Sequence, residues 1–286
     1  MIMRKIRQFL LTTAVVLSSA LTLWAESYTG VSQEPVTITA SNYTDYGFTA
    51  DNWKLFKDYY GIRNAAELYG FAELVNGGKP KIKGVLTADI EINENVLKSD
   101  GERNEDVSNF KQWTPIGTFS KKFEGTFDGN GHYIKGLYFN NPDRNNFYPT
   151  GGSCVGLFGA ISSAKIQNVG LVDNYINGGD YVGGFCGYAS GGTITNCYNN
   201  GRIIGSFEVG GICGGWSTIT NCYNTGKISG GSEIGGICGR EGYQINCYNT
   251  GNVTDRSSSH DVGGICGYVP RGSVGESFQI NCYCLE

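Results

Sequence analysis

The sequence predicts an all-β chain wound as a right-handed parallel β-helix with a short N-terminal capping helix. Three observations carry this. A Gly-Gly phrase recurs four times: Val182-Gly-Gly-Phe-Cys-Gly187, Val209-Gly-Gly-Ile-Cys-Gly214, Ile234-Gly-Gly-Ile-Cys-Gly239 and Val262-Gly-Gly-Ile-Cys-Gly267, at steps of 27, 25 and 28 residues. A second phrase follows each copy: Asn196-Cys-Tyr-Asn199, Asn221-Cys-Tyr-Asn224, Asn246-Cys-Tyr-Asn249 and Asn281-Cys-Tyr-Cys284. Fixed periods in this range mean a solenoid or an array. The residues between the phrases are strand formers, and Gly-Gly doublets would cost roughly 1 kcal/mol per glycine inside a helix. A propeller blade needs about 40 residues, more than these units hold. A coil of short strands joined by Gly and Asn turns fits, and each coil must stack on the next to bury its apolar face.

The chain of 286 residues opens with Arg4, Lys5 and Arg7 before an apolar run over Phe9–Leu23. Residues 1–25 therefore read as a secretory signal peptide, cleaved after Ala20 or Ala25. The apolar run is short and broken by Thr and Ser, and no second apolar span follows, so no transmembrane segment is expected after cleavage. Residues 26–60 are polar and read as a linker or an added strand. Over 61–80 the period changes: Asn64 and Glu67 form a capping-box-like start, and Leu68, Phe71, Ala72 and Val75 share one helical face. Gly77-Gly78 stops this helix, which is placed to cover the open end of the first coil. Residues 81–286 form the solenoid, clearest over 155–284. Its early part holds alternating Leu86, Ala88, Ile90 and Ile92, a charged loop over 98–110 expected to be solvated, and a strand-turn-strand over Phe123–Phe139 around Asp128-Gly-Asn-Gly131. Val155-Gly-Leu-Phe-Gly159 is a degenerate Gly-Gly phrase, and Val169 stands where later coils have cysteine.

Eight of the ten cysteines form two columns, Cys186, Cys213, Cys238, Cys266 and Cys197, Cys222, Cys247, Cys282. Their spacings do not resemble zinc sites, and no cofactor or metal is expected. Two readings stay open: bridges across a coil, as Cys213–Cys222 and Cys238–Cys247, or free thiols filling a tight interior. Asn196, Asn221, Asn246 and Asn281 form a third column, expected to pass amide hydrogen bonds from rung to rung, and Asn199, Asn224 and Asn249 a fourth. Tyr198, Tyr223, Tyr248 and Tyr283 follow their cysteines directly, so alternation points them outward as a candidate binding face for a glycan or a protein. Ile194 and Ile219 precede their cysteine by three residues but Ile245 and Ile280 by two, which implies a one-residue shift in the last coils. Asp180, Glu208, Glu233 and Asp261 precede the Gly-Gly phrases and read as a solvated acidic ladder.

These repeats resemble the GLUG motif of bacterial surface and secreted proteins. Three upstream phrases look like the segment that commonly precedes such repeats: Ala65-Ala-Glu-Leu-Tyr-Gly-Phe-Ala-Glu-Leu-Val-Asn76, Trp113-Thr-Pro-Ile-Gly117 and Phe123-Glu-Gly-Thr-Phe-Asp-Gly-Asn-Gly-His132. The resemblance covers roughly residues 60–284 and implies a location more than a chemistry. GLUG repeats also occur in the non-catalytic part of some IgA-cleaving metallopeptidases, but no His-Glu-x-x-His is present here. Nucleophile-elbow and P-loop motifs are absent too. The formal charge of −4 becomes −7 without the leader's three basic residues, 19 basic against 26 acidic. No basic cluster remains to track a phosphate backbone, so nucleic acid is not an expected partner.

The expectation is therefore a secreted or cell-surface, non-catalytic adhesive or structural module. Its rivals are a polysaccharide-active β-helix lyase or hydrolase, which needs clustered acids, and a stalk fragment of a larger surface protein. Cys282-Tyr-Cys284-Leu-Glu ends inside a coil, so end-to-end association through that edge is also expected.

Overall fold

The computed structural model describes residues 32–143, 152–258, 261–269 and 278–285. The expected leader over 1–25 lies outside them. The described chain is a parallel β-solenoid whose short strands stack into five sheets of nine, seven, five, four and five strands. The nine-stranded sheet holds the Thr-Ile-Thr strands Thr193–Thr195 and Thr218–Thr220, and the seven-stranded one holds Tyr198–Asn199 and Tyr223–Asn224. Next around each turn come Arg202–Ile204, Phe207–Gly210 and Cys213–Gly215, one strand for each remaining sheet. Successive turns pair in parallel and in register: Cys186 opposes Cys213, which opposes Cys238, which opposes Cys266.

The repeat phrases explain the corners. Asn168, Asn196, Asn221, Asn246 and Asn281 all have φ between 52° and 57°, the left-handed region that Asn tolerates better than other side chains. The Gly-Gly phrase folds the backbone back on itself. A Cβ at Gly210 would meet the Cys213 carbonyl at 2.0 Å, and one at Gly211 the Gly236 carbonyl at 2.2 Å.

Helix α1 (Ala65–Asn76) begins as the sequence predicts. The Asn64 side chain accepts from the Glu67 amide, and the Glu67 carboxylate accepts from the Arg63 amide at 2.8 Å. Leu68, Phe71, Ala72 and Val75 are all buried, each of the larger ones stabilising by roughly 1.5–3 kcal/mol as an upper bound. Phe71 meets Phe123 and Phe127 with ring centroids 6.1 and 5.8 Å away, which places the helix against the interior of the first turns. The Asn76 side chain ties its end to Pro115 and Gly117. Residues 32–60 are more than a linker. Val36–Thr37 pairs antiparallel with Tyr60–Ile62 and closes the edge of the nine-stranded sheet. Ile38, Tyr46, Phe48 and Val85 form a small core beside it.

Two expectations need correction. The loop over 98–110 is not simply solvated: Val107 and Phe110, with Leu97, pack on Val96, Tyr138, Tyr175 and Ile204. Its Glu102 bridges Arg202 at 2.6 Å and Lys227 at 3.0 Å, strapping two turns together. Asp128-Gly-Asn-Gly131 is a turn between strands as expected, and it forms a corner between two sheets, because Thr126–Asp128 and Tyr133–Lys135 each pair with other turns. The last coils do not shift register. Ile219 opposes Gln244 and Thr220 opposes Ile245, so a fully buried Gln244 takes the inward isoleucine place and Ile245 turns outward.

Candidate functional site

The predicted columns fall into inward and outward rows. Both cysteine columns face inward, and all ten cysteines are free thiols. Their sulfur neighbours lie along the column rather than across the coil: Cys186 with Cys213, Cys222 with Cys197 and Cys238 with Cys266. Bridges Cys213–Cys222 and Cys238–Cys247 are therefore not formed. Burial pushes the Cys154 and Cys247 thiols up to about 12, which suppresses the reactive thiolate. Cys282 is half-buried and Cys284 exposed, on the last rung.

The two Asn columns make two hydrogen-bonded ladders. On the surface, amide donates to amide oxygen from Asn281 through Asn246, Asn221, Asn196 and Asn168 at 2.9–3.1 Å. In the interior, Asn199 donates to Asn224 and Asn224 to Asn249, each at 2.8 Å. Tyr198, Tyr223 and Tyr248 point outward and stack at 5.1 and 4.9 Å with ring planes within 6° and 4° of parallel. Their faces cover one another, so the row presents ring edges and hydroxyls. Tyr283, on the last rung, is 70% exposed.

The acidic column departs most from expectation. Register places Tyr181, not Asp180, in line with Glu208, because Val182 opposes Val209 and Asp180 opposes Phe207. Glu208 is 1% exposed and Glu233 6%. Neither is a solvated ladder rung. Arg240 is what they share. Its Nη1 lies 3.5 Å from Glu208 Oε1 and 3.4 Å from Glu233 Oε1, and its Nε lies 3.2 Å from Glu241 Oε1. Burial, then the neighbouring Glu233 charge, pushes the Glu208 carboxyl up to about 8 against the pull of Arg240. Burial likewise raises Glu233. Glu208 Oε2 is buried without a hydrogen-bond partner.

An aromatic strip lies over these acids. The Arg240 guanidinium sits 5.5 Å from the Trp216 ring and 5.1 Å from the Tyr268 ring. Trp216 lies 5.4 Å from Tyr188, and Tyr188 lies 5.2 Å from Phe119, all tilted rather than stacked. Tyr181 meets Tyr188 edge-on at 5.6 Å, and Lys122 Nζ is 5.0 Å from the Phe119 ring centre. Tyr181, Glu208, Trp216 and Glu241 all have φ between 46° and 59°, costing about 1–2 kcal/mol for each such residue. Sequence reading missed this strip, although a signal existed. Tyr188, Gly215, Arg240 and Tyr268 each stand two residues after the cysteine of a Gly-Gly phrase, and the structure aligns them in one column. Among the described residues no cluster of His, Cys, Asp or Glu is arranged to hold a metal ion.

Residues 178–204 match the family model described as the GLUG motif. This segment carries the GLUG motif. The matched segment covers one turn, from Gly178 to the strand ending at Ile204, and the in-register turns after it repeat the same frame. Two relatives share parts of the chain. Halomucin of Haloquadratum walsbyi is 34% identical over 132 residues, 45% of this chain. A protein of Evansella cellulosilytica described as "Putative Gly-rich membrane protein" is 37% identical over 65 residues, 22% of this chain. The matches span 1% and 7% of those relatives' own lengths. A solved structure described as a "putative immunoglobulin A1 protease" from Bacteroides ovatus aligns with a TM-score of 0.58 and 23% identity, over 79% of this chain and 75% of that one. That likeness is one of fold. Among the described residues no helix is long and apolar enough to cross a membrane.

Proposed function

We propose that the GLUG-repeat chain is a secreted or cell-surface, non-catalytic β-solenoid module that holds a glycan or protein partner along its side. The observation that carries this is the stiff outward tyrosine row, in which Tyr198, Tyr223 and Tyr248 keep ring spacings of 5.1 and 4.9 Å over successive turns. Parallel rungs repeat about every 4.8 Å, so the row is a regular comb of hydroxyls that a repeating partner can match. The names of the two relatives, a mucin and a membrane protein, support a surface setting. The test is binding of the chain from Glu26 to immobilised glycans and matrix proteins. Selective binding that weakens when Tyr223 and Tyr248 are changed to Ala, with unfolding unchanged, supports the reading. Absence of binding to every surface refutes it.

A glycan-active enzyme is the second reading, and one observation favours it: two adjacent buried carboxyls, with Glu208 raised to about 8, in the range of a general acid. Against it, Glu208 and Glu233 are both covered and both held by Arg240. Time-dependent release of reducing ends from any bound glycan, abolished by Glu208→Gln, would establish the enzyme instead.

A further inference from the structure

We propose that the strip of Tyr188, Trp216 and Arg240, flanked by Phe119 and Tyr268, is a binding site for a neutral oligosaccharide lying along the solenoid axis. This rests on the side-binding reading above and adds to it a second site, separate from the tyrosine row, with its ligand class.

Direction comes first. Tyr188, Gly215, Arg240 and Tyr268 occupy one column over four consecutive turns, and Trp216 fills the place beside Gly215. The strip therefore runs parallel to the axis, which suits a linear chain of similar units. Ring geometry comes next. Stacked neighbours in the tyrosine row hide each other's faces. In the strip, the Phe119–Tyr188 and Tyr188–Trp216 planes are inclined by 57° and 56°, and all three rings are partly exposed. Tilted, part-exposed faces offer an apolar platform for the C–H face of a sugar ring, the pairing of apolar surface and placed polar groups typical of small-ligand sites.

Polar groups decide the ligand class. Donors come from Lys122 and Arg240, and an acceptor from Glu241. Arg240 is shared among Glu208, Glu233 and Glu241, so its charge is already matched within the protein, and Glu208 and Glu233 are buried against it rather than turned to solvent. A strongly anionic or cationic ligand meets no surplus of opposite charge. A neutral ligand with many hydroxyls meets both donors and acceptors. The unpartnered Glu208 Oε2 lies at the back of the strip: a Cβ at Gly215, in the column of Tyr188 and Arg240, would stand 3.3 Å from it.

The test uses the chain from Glu26 against neutral oligosaccharides, sulfated and sialylated oligosaccharides, and an arginine-rich peptide. The variants are Trp216→Asn, which keeps a left-handed corner available, Tyr188→Ala and the control Leu55→Ala, at an exposed residue outside both the strip and the tyrosine row. Neutral oligosaccharides should bind, and either strip variant should weaken them about tenfold, the usual cost of losing a central aromatic anchor. Leu55→Ala should leave that affinity unchanged. If Trp216→Asn does not fold, Tyr188→Ala carries the test alone. Preference for the charged probes overturns the ligand class. Neutral binding insensitive to both strip variants overturns the site, while leaving the side-binding reading standing. No binding by any probe overturns both.

Discussion

Replacing Asn224 by Ala should be among the most damaging single changes in the solenoid, although it removes only one amide. Asn224 is fully buried. It accepts from Asn199 Nδ2 and donates to Asn249 Oδ1, each at 2.8 Å, and it also donates to the Gly226 carbonyl at 2.9 Å. Alanine leaves an orphan donor on Asn199 and another on the Gly226 amide, which bonds Asn224 Oδ1 at 3.3 Å, both inside the coil. Each buried unsatisfied group costs about 1–3 kcal/mol, so a loss of roughly 3–5 kcal/mol is expected. The surface ladder supplies the control. Asn221 makes amide hydrogen bonds of similar length to Asn196 and Asn246, but water can replace them, and its φ of 53° suits glycine. Asn221→Gly should therefore cost under about 1 kcal/mol. Equilibrium urea unfolding compares the two variants, and native-state hydrogen exchange reads the amides of the neighbouring rungs. Equal destabilisation by the two changes would refute the claim that interior burial makes the ladder matter.

Three further outcomes follow from the same geometry. Gln244 is fully buried with Oε1 unpartnered, in line with Ile219, so Gln244→Ile should stabilise the fold by about 1–2 kcal/mol in the same urea assay. Glu208 faces Glu233, Arg240, Asp180 and Glu241, and its carboxyl titrates near 8 when folded against 4.5 ordinarily. The native state therefore holds the extra proton between those values. Stability from this group is complete below about pH 4.5 and declines as pH rises toward 8, by at most roughly 4–5 kcal/mol. Glu208→Gln should flatten that slope, and thermal unfolding across pH 4–9 checks it. Native protein treated with a thiol-reactive chromophore should label Cys284 fast and Cys282 slowly, with the eight buried thiols released only by denaturant. An unchanged melting temperature under reducing agent should accompany this.

The columns were legible in the sequence because a parallel solenoid places residues of equal phase directly above one another. Val169 marked the cysteine place, and the structure aligns it there, since Gly170 opposes Tyr198. Phe158 fills the other cysteine column, as the degenerate phrase implied. Counting back from a cysteine misled at Ile245, because the repeated hydrophobe hid the buried Gln244 that actually keeps the frame. Backbone register, set by the Asn corners, outranked side-chain likeness.

The strip was not legible for the opposite reason: its members differ from turn to turn. A column search rewards identity, and Tyr188, Gly215, Arg240 and Tyr268 share nothing but position. Their meaning depends on neighbours from other faces. Glu208 becomes an acid with a raised carboxyl because burial and Glu233 of the next turn both disfavour its charge, against the pull of Arg240. Identical residues recurring in phase report what holds the coils together. In this solenoid, the places where a strict frame carries unlike polar and aromatic residues are where specificity for a partner can be built, since the ladders alone already satisfy the fold.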